Sequence, residues 1–245
     1  MWTDRVQGVK ESGIPAFHTG PLESLNPRIL LLFAALVGMA CAGSLPKGIV
    51  CDADLDCFYV PEPVAKAGVR VPALLILHCN GAVPKDLDTF RLIADSLGWV
   101  EATCHATRNH RSTDSNDVDI VRTIHKLLTR YPVDSSQLFL FGFSGQGVQA
   151  LATMFLHSDL VRGLVAVCPH SAAVPLAVWD ELQGHFVYLV TRQQDWNRAE
   201  NEKMYQLFNE NGVRTELITT PGEHGNGPAT EVLAGCRWLK QAAGD

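Results

Sequence analysis

The sequence predicts an α/β protein: a mostly parallel sheet with helices on both faces. Two observations carry this expectation. Apolar runs at 73–78 (ALLILH), 138–141 (LFLF) and 186–191 (FVYLVT) are continuous rather than alternating, as in strands buried on both faces. Between such runs lie segments with apolar side chains at helical spacing. Those are the crossovers that parallel strands require, and they should be right-handed.

The elements follow in order. Residues 57–60 read as a short strand ended by Pro61 and Pro63, and 73–78 as the first buried strand. A helix over 86–97 places Leu87, Phe90, Ile93, Ala94 and Leu97 on one face. Residues 99–104 form a weaker strand. A helix over 116–130 carries Val118, Val121, Ile124, Leu127 and Leu128 as its stripe, with Asp114, Ser115 or Asn116 as cap. Strand 138–141, helix 146–157 and strand 163–167 come next. Strand 186–191, helix 197–211 (ended by Gly212), strand 215–219 and helix 229–243 complete the chain. No linker or composition shift divides residues 45–245.

The N-terminus reads differently. Residues 29–42 (ILLLFAALVGMACA) hold no charge. Fourteen residues are short of the roughly 20 needed to cross a bilayer. The run matches the apolar core of an export signal, with Arg28 before it and Ala40-Cys41-Ala42 as the cleavage site. Gly38-Met39-Ala40-Cys41 also resembles a bacterial lipobox, in which Cys41 would carry lipid. Gly38 stands where that motif has a branched aliphatic residue. Residues 1–27 are not the basic flank usual before such a run, so either the signal starts further along or this tail has another role. The expected organisation is a tail and export signal over 1–42 and a single domain over 43–245. The expected location is outside the cytoplasm, with the membrane touched only through an N-terminal lipid or anchor.

Composition narrows the function classes. The formal charge is −6 and no Lys/Arg run occurs, so no nucleic-acid partner is expected. Apolar residues make up 47 %, enough to fill a core and too many for a disordered chain. Of seven cysteines, Cys41 lies in the signal. The other six (Cys51, Cys57, Cys79, Cys104, Cys168 and Cys236) could pair in an exported chain. Cys51 and Cys57 are one candidate pair. Cys168 sits in the apolar run LVAVC and reads as core. His105 and His110 lack metal-ligand spacing, and neither HExxH nor Cys-x₂-Cys occurs, so no metal site is expected. GFSGQG is not followed by Gly-Lys-Ser/Thr, which excludes a phosphate loop.

The sharpest motif is the segment 138–147, LFLFGFSGQG. A buried strand runs into Gly142-Phe143-Ser144-Gly145 and a helix begins at once. Such a turn lifts the serine hydroxyl clear of the sheet. It also sets helix N–H groups and the positive dipole end beside that hydroxyl. The segment resembles the nucleophile elbow of the α/β-hydrolase family. One departure is Gln146, where the family has a small residue. Here the glycine comes one place later, at Gly147.

A serine needs an adjacent base, and the base an orienting carboxylate. The resemblance implies the order serine, acid, histidine. Asp195 in TRQQDWN and His224 in PGEHGNGP both follow predicted strands and fit that order. Glu200, Asp180 and His170 are weaker substitutes. The resemblance also implies an oxyanion hole. Gly145 would give one N–H. The loop His78-Cys79-Asn80-Gly81 would give the other, from Asn80, with Cys79 as second choice. Residues 55–243 are similar to exported serine esterases such as feruloyl esterases and polyhydroxybutyrate depolymerases. This implies ester hydrolysis through an acyl-enzyme, on a small-molecule or polymer-end ester, with no cofactor. Other readings are a small serine peptidase of the prolyl-oligopeptidase type and a non-catalytic binding protein on the same fold. Only eighteen residues separate strand 163–167 from strand 186–191. That leaves room for a minimal lid, so a shallow, open site is expected.

Overall fold

The computed structural model describes residues 45–244; the segment 29–42, with Cys41, lies outside them. Eight strands form one sheet in the order β1-β2-β4-β3-β5-β6-β7-β8. They are β1 (Ile49–Cys51), β2 (Cys57–Tyr59), β3 (Val71–Leu77), β4 (Val100–Cys104), β5 (Val133–Phe143), β6 (Gly163–Val167), β7 (Phe186–Arg192) and β8 (Arg214–Thr220). β1 pairs β2, and β2 pairs β4, antiparallel; every other pairing is parallel. The helices are α1 (Glu62–Ala67), α2 (Pro84–Leu97), α3 (Thr113–Arg130), α4 (Gly145–Leu156), α5 (Arg198–Glu210) and α6 (Ala229–Ala243). Between β6 and β7 stand two short 3₁₀ turns, Ser171–Leu176 and Trp179–Leu182, the minimal lid segment.

Alternation along the strands sorts the core into two layers. Leu75, Leu77, Leu138 and Leu140 face the layer filled by Ile120, Ile124 and Leu127 of α3, Leu151 and Phe155 of α4, and Phe208 of α5. Leu74, Ile76, Phe139 and Phe141 face Leu87, Phe90 and Ile93 of α2 and Val232, Cys236 and Leu239 of α6. The sheet is thus covered on both faces, as the continuous apolar strands require.

Two local expectations are corrected. Ser112 caps α3, its Oγ accepting from the Ser115 N–H at 3.2 Å; the positions 114–116 expected for the cap lie inside the helix. Val118 is 66 % exposed. The inward positions of the first turns belong to polar residues instead. Asp117 accepts from Thr153 Oγ1 at 2.8 Å and lies 2.7 Å from His157 Nε2. Asn116 is bound to the backbone of Arg108 through both its amide atoms. These hydrogen bonds fix the helix's rotation, and Ile120 fills the core instead of Val118.

The β1–β2 hairpin is closed by the disulfide Cys51–Cys57. Its loop holds Asp52, Asp54 and Asp56, three carboxylates close enough to ligate a cation. The ammonium of Lys126, from α3, already stands at that centre, 2.7 Å from an oxygen of each. Asp56 also accepts from the His105 N–H at 2.9 Å, which ties the hairpin to the loop after β4.

Glu101 of β4 is fully buried. One carboxyl oxygen accepts from the Ala94 N–H at 3.1 Å, and the other has no partner among the described residues. Burial pushes this carboxyl well above the usual carboxylate value. A raised folded-state value gives stability that is complete below the unfolded value, about 4.3, and is lost as pH climbs toward the folded one. Glu101→Gln removes that loss. Urea unfolding should show the variant at least about 1 kcal/mol more stable than the parent at pH 8, with the gain vanishing at pH 4. An equal difference at both pH values would rule out this account of Glu101.

Candidate active site

The chain order places the site. From β3 it moves to β4 on one side, then crosses back to β5 on the other. This reversal leaves a crevice at the C-terminal strand ends, where ligands of open parallel sheets bind. The loops after β3 and β5 flank that crevice.

Ser144 follows β5 directly and stands at the N-cap of α4. Its backbone sits at φ 53°, ψ −123°, which L side chains rarely adopt. The surroundings hold it there: its N–H donates to Val167 O at 2.8 Å and its carbonyl accepts from the Val148 N–H at 3.1 Å. Strand and helix pass closely. A Cβ on Gly142 would lie 2.2 Å from the Gln146 carbonyl oxygen, and one on Gly147 would lie 3.0 Å from that of Gly142. The crossing therefore needs glycine at 142 and 147, and position 146 is free to hold Gln. That side chain is buried against the loop after β4, its Nε2 donating to Asn109 Oδ1 at 3.3 Å.

Three side chains from three strand ends form one hydrogen-bonded chain. His224 Nε2 lies 2.8 Å from Ser144 Oγ, and His224 Nδ1 lies 2.8 Å from Asp195 Oδ1. Burial opposes ionisation of Asp195. Hydrogen bonds from the Asn197 N–H, His224, Cys168 and Thr191 outweigh it and hold the carboxyl below its usual value. An ionised Asp195 can only accept, so the ring proton resides on Nδ1. Nε2 is then the acceptor, and Ser144 donates to it.

Neighbouring groups fix this chain. Thr191 Oγ1 donates to Asp195 Oδ2 at 2.9 Å, and the Asn197 N–H to Oδ1 at 3.0 Å. Arg192 pairs with Glu231 at 2.7 Å and donates to Gly225 O at 2.9 Å, which clamps the loop carrying His224. Cys168 is buried beside Asp195, and burial pushes its thiol up to about 12. Cys168, Asp195 and His224 are close enough to share a metal ion. A protonated thiol and a proton already shared between Asp195 and His224 do not suit one. Glu200, a weaker substitute for the acid, accepts instead from the Ser171 N–H and hydroxyl.

The Gly145 N–H is the first of α4 and has no partner within the helix. The Asn80 N–H, the expected second donor, is directed to His78 Nδ1 at 3.3 Å. That contact, local to the turn 78–81, competes with any oxyanion for the Asn80 N–H. The Cys79 N–H has no carbonyl acceptor among the described residues. Cys79 is held on both sides: its thiol donates to Phe143 O at 3.3 Å, and its carbonyl accepts from the Asn109 N–H at 2.8 Å.

Trp196 had no assigned role in the sequence. Its ring stacks on that of His224 at 3.9 Å and 16°, while the residue remains 74 % exposed. The stacked indole covers one face of the imidazole and restricts its rotation out of the Ser144–Asp195 line. The motif TRQQDWN shows Trp196 beside the acid, but only the folded loop sets it against the base.

Comparison with solved structures places this architecture. An esterase from Pyrobaculum calidifontis superposes with a TM-score of 0.62 at 16 % identity, over 91 % of this chain and 96 % of the esterase. A ferulic acid esterase gives 0.62 at 13 % identity, over 79 % and 96 %. A dipeptidyl aminopeptidase IV from Bacteroides ovatus gives 0.61 at 14 % identity over 79 % of this chain, and this chain spans 35 % of its length. No family model and no curated protein sequence matches the chain. The chain has the α/β-hydrolase fold.

Proposed function

We propose that this chain is a serine hydrolase that cleaves carboxylic esters through an acyl-enzyme. The observation that carries the proposal is the continuous Ser144–His224–Asp195 hydrogen-bond chain on a strained strand-to-helix turn. As Ser144 Oγ attacks the ester carbonyl carbon, His224 Nε2 takes its proton. The oxyanion accepts hydrogen bonds from the Gly145 and Cys79 N–H groups. On collapse the ester C–O bond breaks, and His224 returns the proton to the leaving alcohol. Water then repeats the sequence on the acyl-enzyme and frees the acid. Asp195 keeps the ring in the required tautomer and stabilises the imidazolium.

The esterases among the structural neighbours support ester over amide chemistry. An exported location is supported by the apolar run at 29–42 and the Cys51–Cys57 disulfide. A fluorophosphonate probe should label the folded chain once, and Ser144→Ala should abolish the label. Folded parent protein that resists the probe would refute the proposal.

A further inference from the structure

We infer that the cleft beside Ser144 selects esters that bear a carboxylate, and that Arg108 is the group that receives it; this rests on the ester-hydrolase reading above. The cleft, about 320 Å³, opens onto Ser144 and Gly145. Its ionisable lining is basic throughout: Arg108, His110, Arg111 and His170. This stands out in a chain of net charge −6.

The local pairing leaves a cation over. Arg108 Nε donates to Ala106 O at 3.4 Å, and Arg111 Nη1 to the same oxygen at 3.1 Å. The two guanidinium groups therefore share one carbonyl. Arg111 is neutralised by Asp119, which also binds Arg122 at 2.6 Å. Arg108 has no carboxylate partner among the described residues. Glu200, the acid that faces His170 from α5, is engaged by Ser171.

The backbone that presents Arg108 is fixed. Its N–H and carbonyl are both bound by the Asn116 side chain, at 3.2 and 3.0 Å. His110 next to it is at φ 63°. The Asn109 side chain between them touches the elbow through Gln146. An unpaired guanidinium on a fixed loop beside the nucleophile offers a forked, charge-assisted contact that matches a carboxylate. On the other side of the nucleophile strand, Leu77, Phe90, Phe141 and Phe143, together with His78, Asn80 and Asn226, line a mainly apolar hollow of about 240 Å³. One side of the site is thus cationic and the other suits hydrocarbon.

The test compares matched substrates on the full chain. Mono-p-nitrophenyl adipate against p-nitrophenyl hexanoate puts a carboxylate on the acyl group. 4-Carboxyphenyl hexanoate against phenyl hexanoate puts it on the alcohol. The parent protein should show a tenfold or larger kcat/KM preference for the charged member of at least one pair. Arg108→Gln should remove that preference while keeping p-nitrophenyl hexanoate within twofold. Raising the salt from 0.05 to 0.5 M should weaken the preference in the parent. Cleavage of the neutral esters with no preference in either pair, or a preference that survives Arg108→Gln, would overturn the inference and leave the ester-hydrolase reading standing. Failure to cleave any of the four, with no fluorophosphonate labelling, would instead sink that reading and this one together.

Discussion

Replacing Ser144 by alanine should lower kcat for a short p-nitrophenyl ester by about 10⁶-fold, with KM nearly unchanged. The size of the loss follows from the site's economy of parts. Among the described residues, His224 Nε2 has a single partner, the Ser144 hydroxyl. Without that oxygen no acyl-enzyme forms, and what survives is oxyanion binding and substrate positioning. The fold should not suffer, because among the described residues the hydroxyl bonds only to His224, and the strained turn is held by backbone hydrogen bonds to Val167 and Val148. Alanine at φ 53° carries the same backbone strain as serine. Matching thermal unfolding of parent and variant would establish that the loss is chemical. A variant that kept a tenth of the parent's activity would exclude Ser144 as the nucleophile.

Asp195→Asn should cost about 10⁴ in kcat for a different reason. Asp195 accepts on both oxygens: from His224 and the Asn197 N–H on one, and from Thr191 on the other. Asparagine has one oxygen to offer in place of two, and its NH₂ must face one of these donors. If the amide nitrogen faces His224, the ring proton moves to Nε2. The imidazole then presents a donor to Ser144 and cannot take its proton. The depressed value of Asp195 adds a sign. Its contribution is complete above the unfolded value, about 3.9, and is lost as pH falls through the lower folded value. Asp195 therefore stays ionised throughout the neutral range, and its substitution should cut kcat/KM at every pH from 6 to 9. A loss below tenfold would show that another group orients His224.

The hydrogen-bonded trio of Ser144, Asp195 and His224 was legible because each member is announced locally. Ser144 follows a run of four apolar residues and is framed by glycines. Asp195 and His224 each follow an apolar strand, and the family resemblance supplied their order. The buried parallel strands were legible for a related reason, since burial on both faces leaves no polar position to confuse the pattern. The short elements were not. β1 and α1 hold three and six residues, and they are stabilised by the disulfide and by packing rather than by any period of their own. Cys79 and Asn80 could not be ranked from sequence, because the choice turns on where one N–H points. The Val118 stripe failed because tertiary hydrogen bonds of Asn116 and Asp117 outweighed the helix's apolar period. Arg108 and Trp196 were invisible for the same kind of reason. Their meaning lies in what they lack or touch across loops far apart in the chain.

The segment 105–111 departs from β4, whereas Ser144, Asp195 and His224 sit beyond β5, β7 and β8. On the reading proposed above, the nucleophile and the carboxylate-binding Arg108 thus stand on different loops, joined through Asn109, which meets Gln146 by its side chain and Cys79 by its N–H. Arg108 can then change without touching the Ser144–His224–Asp195 chain, whereas Asn109 cannot. Variation among chains of this architecture should accordingly concentrate at Arg108, His110 and Arg111, with Asn109 and the turn at 142–147 held nearly constant.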